Sequence, residues 1–140
     1  MKFGVVLDTN VVISAVLSAG GSEAYALNLV LARKALLYAT VEILSEYEEV
    51  LSRPKFDLEP KAVRSILRSI RSVAIMVLPR TKVRVSADDD DNRFLECAQA
   101  ANAHFLLTGN RRHFPEYWET TRVIGAREFV ELMIDAERRG

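Results

Sequence analysis

From residue 3 to residue 13 the chain is apolar except at its centre, where Phe3-Gly4-Val5-Val6-Leu7 delivers Asp8-Thr9-Asn10 into Val11-Val12-Ile13. The run over 3–7 predicts a buried strand and the segment over 9–18 a helix, so Asp8 falls at the junction between two buried elements. A carboxylate stranded there costs several kcal/mol, on the order of 3 or more, unless it is paired, hydrogen-bonded or bound to a cation. Further polar groups recur where elements should begin or end, at Glu46, Asp91 and Asn110. Oxygen donors of this kind suit a hard divalent cation such as magnesium or manganese.

The rest of the sequence alternates between helical and strand patterns. Helices are expected over 23–34, with Ser22 as cap, over 41–53, capped by Thr40 and stopped by Pro54, and over 60–72, 91–102 and 126–138. Strands are expected over 35–39, 73–78, 103–108 and 122–124, with a polar loop over 80–90. Strands separated by helices imply an α/β fold with a mostly parallel central sheet and right-handed crossovers. Ligands in such sheets sit beyond the carboxyl ends of the strands, which is where Asp8 and Asn110 fall.

The chain has 140 residues, 49% of them apolar, enough for a single domain spanning 1–140. Its 19 basic and 19 acidic residues cancel, so any contact with nucleic acid has to come from a local patch. Cys97 is the only cysteine, which excludes an internal disulfide and a cysteine-rich zinc site and fits a reducing cytoplasm. Its neighbours Phe94, Leu95 and Ala98 mark it as a small buried thiol. The N-terminal apolar region is broken by Asp8 and Asn10 and makes a poor secretory signal, and no segment approaches transmembrane length, so a soluble, cytoplasmic protein with no membrane partner is expected.

On the helix expected from 91, Phe94, Leu95, Ala98 and Ala101 share one face, and Asp91 extends that face toward the sheet end. Asn92 and Glu96 are expected to turn to solvent. Asp88 to Asp90 read as capping and dipole-complementing charges. The helix from 41 buries Ile43, Leu44, Tyr47, Val50 and Leu51, leaving Glu46 and Glu48 on opposite borders of the stripe. Periodicity does not choose between those two glutamates. Beyond the strand His104-Phe105-Leu106-Leu107, the turn Thr108-Gly109-Asn110 can present the Asn110 oxygen to a cation or to its water. His104 is expected beside its strand and His113 in the following loop.

The sequence holds no phosphate-binding Gly-x-x-x-x-Gly-Lys loop, no Gly-x-Gly-x-x-Gly dinucleotide turn and no Gly-x-Ser-x-Gly nucleophile elbow. Carboxylate chemistry with a metal remains. At this point four motifs stand in register: Val6-Leu7-Asp8-Thr9-Asn10-Val11, Leu44-Ser45-Glu46-Tyr47, Asp88-Asp89-Asp90-Asp91-Asn92 and Leu107-Thr108-Gly109-Asn110. Their order and spacing resemble the PIN-domain proteins, and Val50-Leu51-Ser52-Arg53-Pro54-Lys55-Phe56 resembles the subgroup of toxin components from toxin–antitoxin systems, the VapC-like ribonucleases.

That resemblance implies a three-layer α/β/α sandwich and a metal-dependent endoribonuclease that hydrolyses RNA phosphodiester bonds. The cofactor it implies is Mg2+ or Mn2+. A homodimer or higher oligomer and a cognate antitoxin protein are the implied partners. Carried over by motif, the metal ligands are Asp8, Glu46 and Asp91, which resolves the choice against Glu48, and Asn110 completes the catalytic set. The subgroup often has aspartate where Asn110 stands, and this neutral group attracts a second metal less strongly. Asp89 replaces a proline common in the acidic run, making Asp88 a supplementary ligand. Thr9, Asn10 and Thr108 are supporting residues, Asn10 as a brace for the loop carrying Asp8. Arg111 and Arg112 are candidates for RNA contact, ahead of a basic row Lys61, Arg64, Arg68 and Arg71. Two alternatives remain open on the residues. A phosphohydrolase using Asp8 as nucleophile would want a second aspartate where Asn10 stands. A non-catalytic module of the same fold would bind RNA or protein without a metal.

Overall fold

The computed structural model describes all residues, Met1–Gly140. Its elements follow the order β1 (Gly4–Leu7), α1 (Thr9–Leu17), α2 (Ser22–Leu31), β2 (Leu36–Ala39), α3 (Val41–Leu51), α4 (Pro60–Val73), β3 (Ile75–Met76), α5 (Asp89–Ala101), β4 (Phe105–Leu107), β5 (Tyr117–Trp118), β6 (Thr121–Ile124) and α6 (Ala126–Arg139). Single 3-10 turns lie at Pro54–Phe56 and Arg111–His113. The six strands form one sheet in the order β3-β2-β1-β4-β6-β5, parallel throughout except for the β5–β6 pair. Helices cover both faces, with α5 against β1, β2 and β4 and the α1, α2, α6 and α3, α4 groups packed against one another. No helix is long and apolar enough to cross a membrane.

The centre of the sheet is buried because its strands carry apolar side chains on both faces, as a strand covered by helices on each side requires. Val5, Val6, Leu7, Leu37, Leu106 and Leu107 are all at most 1% exposed. Gly4 is needed at the start of β1: a Cβ there would stand 2.6 Å from the Tyr38 ring of the neighbouring strand. The register of β1 on β4 pairs Val5 with Phe105, Val6 with Leu106 and Leu7 with Leu107. That register brings Asp8 and Thr108 side by side past the carboxyl ends of both strands. His104 lies beside its strand as expected, its Nδ1 accepting the Gly4 N–H at 2.9 Å.

Most expected elements are present with shifted ends. Thr40 caps α3, its hydroxyl accepting the Ile43 N–H at 3.1 Å. At α2 the cap position is Gly21, and Ser22 is already helical with no capping side chain. Helix α5 starts at Asp89, two residues earlier than expected, because the Asp88 carboxylate accepts the Asp90 N–H at 2.9 Å and caps the helix there. The strand expected over 73–78 shrinks to Ile75–Met76, since α4 continues through Val73. The short antiparallel strand β5 and the 3-10 turns carried no periodic signal.

Asn92 and Glu96 overturn the expectation that they face solvent: they are 1% and 6% exposed. The segment between β3 and α5 folds back over the helix and covers them. Asn92 accepts the Ser86 N–H at 2.8 Å and donates to the Ser86 carbonyl at 3.0 Å, which satisfies two loop groups at once. Glu96 accepts the Val83 N–H at 2.8 Å and pairs with Arg93 at 2.9 Å. Helical periodicity describes one buried stripe, whereas α5 is buried both by the sheet and by this loop.

Candidate metal centre and nucleic-acid cleft

Asp8 stands at the N-cap position of α1 and is 6% exposed, yet its side chain makes no capping bond. It is oriented by Thr108, whose hydroxyl donates to Oδ2 at 2.7 Å and itself accepts the Asn110 N–H at 2.9 Å. The Asp8 backbone N–H donates to the Leu107 carbonyl at 2.9 Å, so the carboxylate is fixed to the end of β4 as well as to β1. Asn10 accepts the Gly109 N–H at 3.0 Å. That bond spans the two loops that carry Asp8 and Asn110.

Helix α3 supplies Glu46. Tyr47, fully buried beside it, donates its hydroxyl to the Leu7 carbonyl at 2.5 Å and so sets the rotation of α3 against β1. That rotation turns Glu46 toward the cleft, where it accepts a hydrogen bond from the Thr9 hydroxyl. Glu48 goes the other way and meets Arg71 of α4 at 3.2 Å. The first turn of α5 supplies Asp91, which is buried, accepts from the Ser86 hydroxyl at 3.2 Å and lies 3.4 Å from the His113 Nδ1.

Asp8, Glu46, Asp91 and Asn110 all line one cleft of about 390 Å³ at the carboxyl ends of the parallel strands, together with Thr9, Asn10 and Asp88. Thr108 lies just behind the lining, holding Asp8. The lining also holds charged or titratable side chains that the sequence reading did not assign to the site: Asp90, which neighbours Glu46, His113, and the two cations Arg53 and Lys55. His113 lies in the loop after β4, as its place in the sequence predicts. What no sequence spacing signalled is that the 3-10 turn folds it back onto Asp91. Arg111 and Arg112 do not line the cleft; Arg111 points to Glu128 of α6 at 3.8 Å.

The electrostatics are those of desolvated like charges. Burial first, then the nearby Asp91, pushes the Asp8 carboxyl up from 3.8 to about 6, against the Thr108 hydrogen bond that favours its charged form. Burial and the adjacent Asp90 push Glu46 up to about 7. Asp91 is raised by burial and by Asp88, while Ser86 and His113 oppose the shift. Cys97, sealed in the core, has its thiol pushed up to about 12 and is inert.

The donors are all oxygens and the carboxylates repel one another, the chemistry that a hard cation relieves. No three Asp, Glu, His or Cys side chains close on a common point as a metal cage. Asp8, Asp91 and Glu46 are the residues whose carboxylate oxygens could hold a hard cation, one or two at a time with water completing its shell.

Comparison with known proteins gives a consistent picture. The sequence profile of the family described as PIN domain matches residues 4–112. An uncharacterized protein of Methanocaldococcus jannaschii is 32% identical over 114 residues, covering 79% of this chain and 73% of its own. Among solved structures, the fold is similar to a chain of VapBC2 from Rickettsia felis, crystallised bound to a DNA fragment from their promoter. The TM-score is 0.57 and the identity 16%, covering 86% of this chain and 97% of the other.

Proposed function

This chain belongs to the PIN domain family, and on that footing we propose that it is a divalent-metal-dependent endoribonuclease, hydrolysing RNA phosphodiester bonds as the toxin of a toxin–antitoxin pair. The observation that supports this reading is the convergence of Asp8, Glu46, Asp91 and Asn110, drawn from four separate elements or turns, on one cleft. A fold needs no such gathering of buried carboxylates for its own stability, since their desolvation and mutual repulsion destabilise it.

Asp8 and Asp91 would hold Mg2+ or Mn2+, with Glu46 in direct contact or through a water. When bound, the cation supplies Lewis-acid activation of a water and neutralises charge on the scissile phosphate. The chain's own groups do the positioning. Thr108 fixes the Asp8 carboxylate through a hydrogen bond that also secures the Asn110 backbone. Thr9 orients Glu46, and Asn10 ties the two loops at a constant separation. The Asn110 amide is left to orient a water or a phosphate oxygen at the cleft. Arg111 and Arg112 lie beyond Asn110 as candidate contacts for the outgoing strand. The likeness to VapBC2 supports an antitoxin protein as partner, and self-association into a dimer belongs to the same proposal.

The test is cleavage of single-stranded and structured RNA with and without manganese. Wild-type protein is expected to cut only with metal, and Asp91→Asn to lose cutting while keeping its fold. Full activity in Asp91→Asn, or cleavage unaffected by chelation, overturns the proposal.

A further inference from the structure

A polyanion has to approach a cleft walled by acidic groups, so cations must stand where the strand enters. Two do. Arg53 and Lys55 line the same cleft as the α5 acids, Arg53 just past the end of α3 and Lys55 in the 3-10 turn that follows. Arg53 is half exposed, and its only carboxylate neighbour is Glu49 at 3.5 Å, a solvated pair that leaves the guanidinium free to exchange partners. The Lys55 ammonium stands 5.1 Å from the centroid of the Phe56 ring, and Phe56 is partly buried and packed against the core. Pro54 at the first position of the turn and Asp57 in the left-handed region (φ 51°), its N–H donating to the Pro54 carbonyl at 3.0 Å, hold this short segment in one shape.

The other basic groups are placed differently. Arg111, 3.8 Å from Glu128, and Arg71 of the α4 row, engaged by Glu48, stand outside the cleft lining, as does Arg112. The cleft wall thus carries two cations with the partly exposed Phe56 ring beside them, and cations next to an aromatic side chain are the combination that tracks a nucleic-acid backbone while offering a base a surface to stack on. We infer that Arg53 and Lys55, with Phe56 as platform, form the phosphate-contacting entry for single-stranded RNA. This rests on the ribonuclease reading and adds to it the path of the substrate.

The experiment is fluorescence anisotropy of a labelled single-stranded oligoribonucleotide and of a paired duplex in chelator, across a salt series. Three proteins are compared: wild type, the double variant Arg53→Gln with Lys55→Gln, and the double variant Arg111→Gln with Arg112→Gln. All four positions are exposed, and circular dichroism melting establishes that the variants fold. Loss of two phosphate contacts is expected to lower the log–log salt slope by about 1.4 and to weaken single-strand binding at low salt on the order of ten-fold. Phe56→Leu, which keeps an apolar side chain in the turn, is expected to weaken single-strand binding without changing the slope. An unchanged slope in the Arg53, Lys55 variant, with wild type binding and cutting RNA, overturns the entry path alone. Equal affinity of wild type for duplex and single strand overturns its single-strand preference. A wild type that neither binds nor cuts RNA overturns the ribonuclease reading and the entry path with it.

Discussion

Asp8 contributes a stability that falls as pH rises, in the same sense as the raised Glu46 and Asp91 beside it. Its folded pKa of about 6 lies above the ordinary 3.8, so the folded chain binds this proton more tightly than the unfolded chain does. Stability from this group is present below 3.8 and is lost as pH rises toward 6, by on the order of 2–3 kcal/mol. Urea unfolding in chelator is therefore expected to show a falling midpoint over that window, and Asp8→Asn to make the fall shallower, with Glu46 and Asp91 still contributing, and to be the more stable protein at pH 7. A rising midpoint in wild type would mean that the carboxylate is not desolvated as described. Single residues were legible in the sequence where a group stood against its surroundings, as Asp8 does between two apolar runs. They were not legible where a choice depended on rotation: Glu46 and Glu48 are equivalent on a helical wheel, and the Tyr47 hydroxyl on the Leu7 carbonyl separates them. His113 has no sequence signal of its own, because its approach to Asp91 is made by a turn.

Among the elements, the segment between β3 and α5 is held by few groups and is the place where one substitution should act most locally. Glu96→Ala removes the acceptor for the Val83 N–H and leaves Arg93, whose Nε already lacks a partner, without its carboxylate. The expected cost is about 2–3 kcal/mol. Amide exchange at Val83 should accelerate more than exchange in β1 or β4, because the segment can open without the sheet. A uniform acceleration would show that the segment and the sheet unfold as one unit. Thr40→Ala, which removes the α3 cap, should cost about 1 kcal/mol with no such local signature. The same segment marks the limit of reading elements from periodicity. Strands with apolar runs and helices with a single stripe were found within a few residues, whereas Asn92 and Glu96 looked solvated because their burial comes from a loop that has no period. Strand β5 escaped for a related reason: it is two residues long, at the sheet edge, and defined by its antiparallel partner β6.

For the whole molecule, the metal and the fold should be linked through the cleft. A cation bound only by the folded chain raises stability by about 2.7 kcal/mol at a concentration about a hundred times its Kd. Protons compete for the same oxygens, Asp8 up to about 6 and Glu46 up to about 7. Manganese is therefore expected to raise the melting temperature at pH 8 much more than at pH 5, and Asp91→Asn to reduce the rise. Equal shifts at both pH values would place the ion elsewhere. The overall α/β architecture was open to sequence reasoning because alternation of elements is a long-range pattern, while the closing β5–β6 hairpin was not. The Thr108 hydroxyl on Asp8 joins residues 100 positions apart. Because chains emerge from the ribosome N-terminus first, Asp8 is made long before the strand that orients it. A growing chain therefore carries no assembled cleft until β4 and the turn after it have been made.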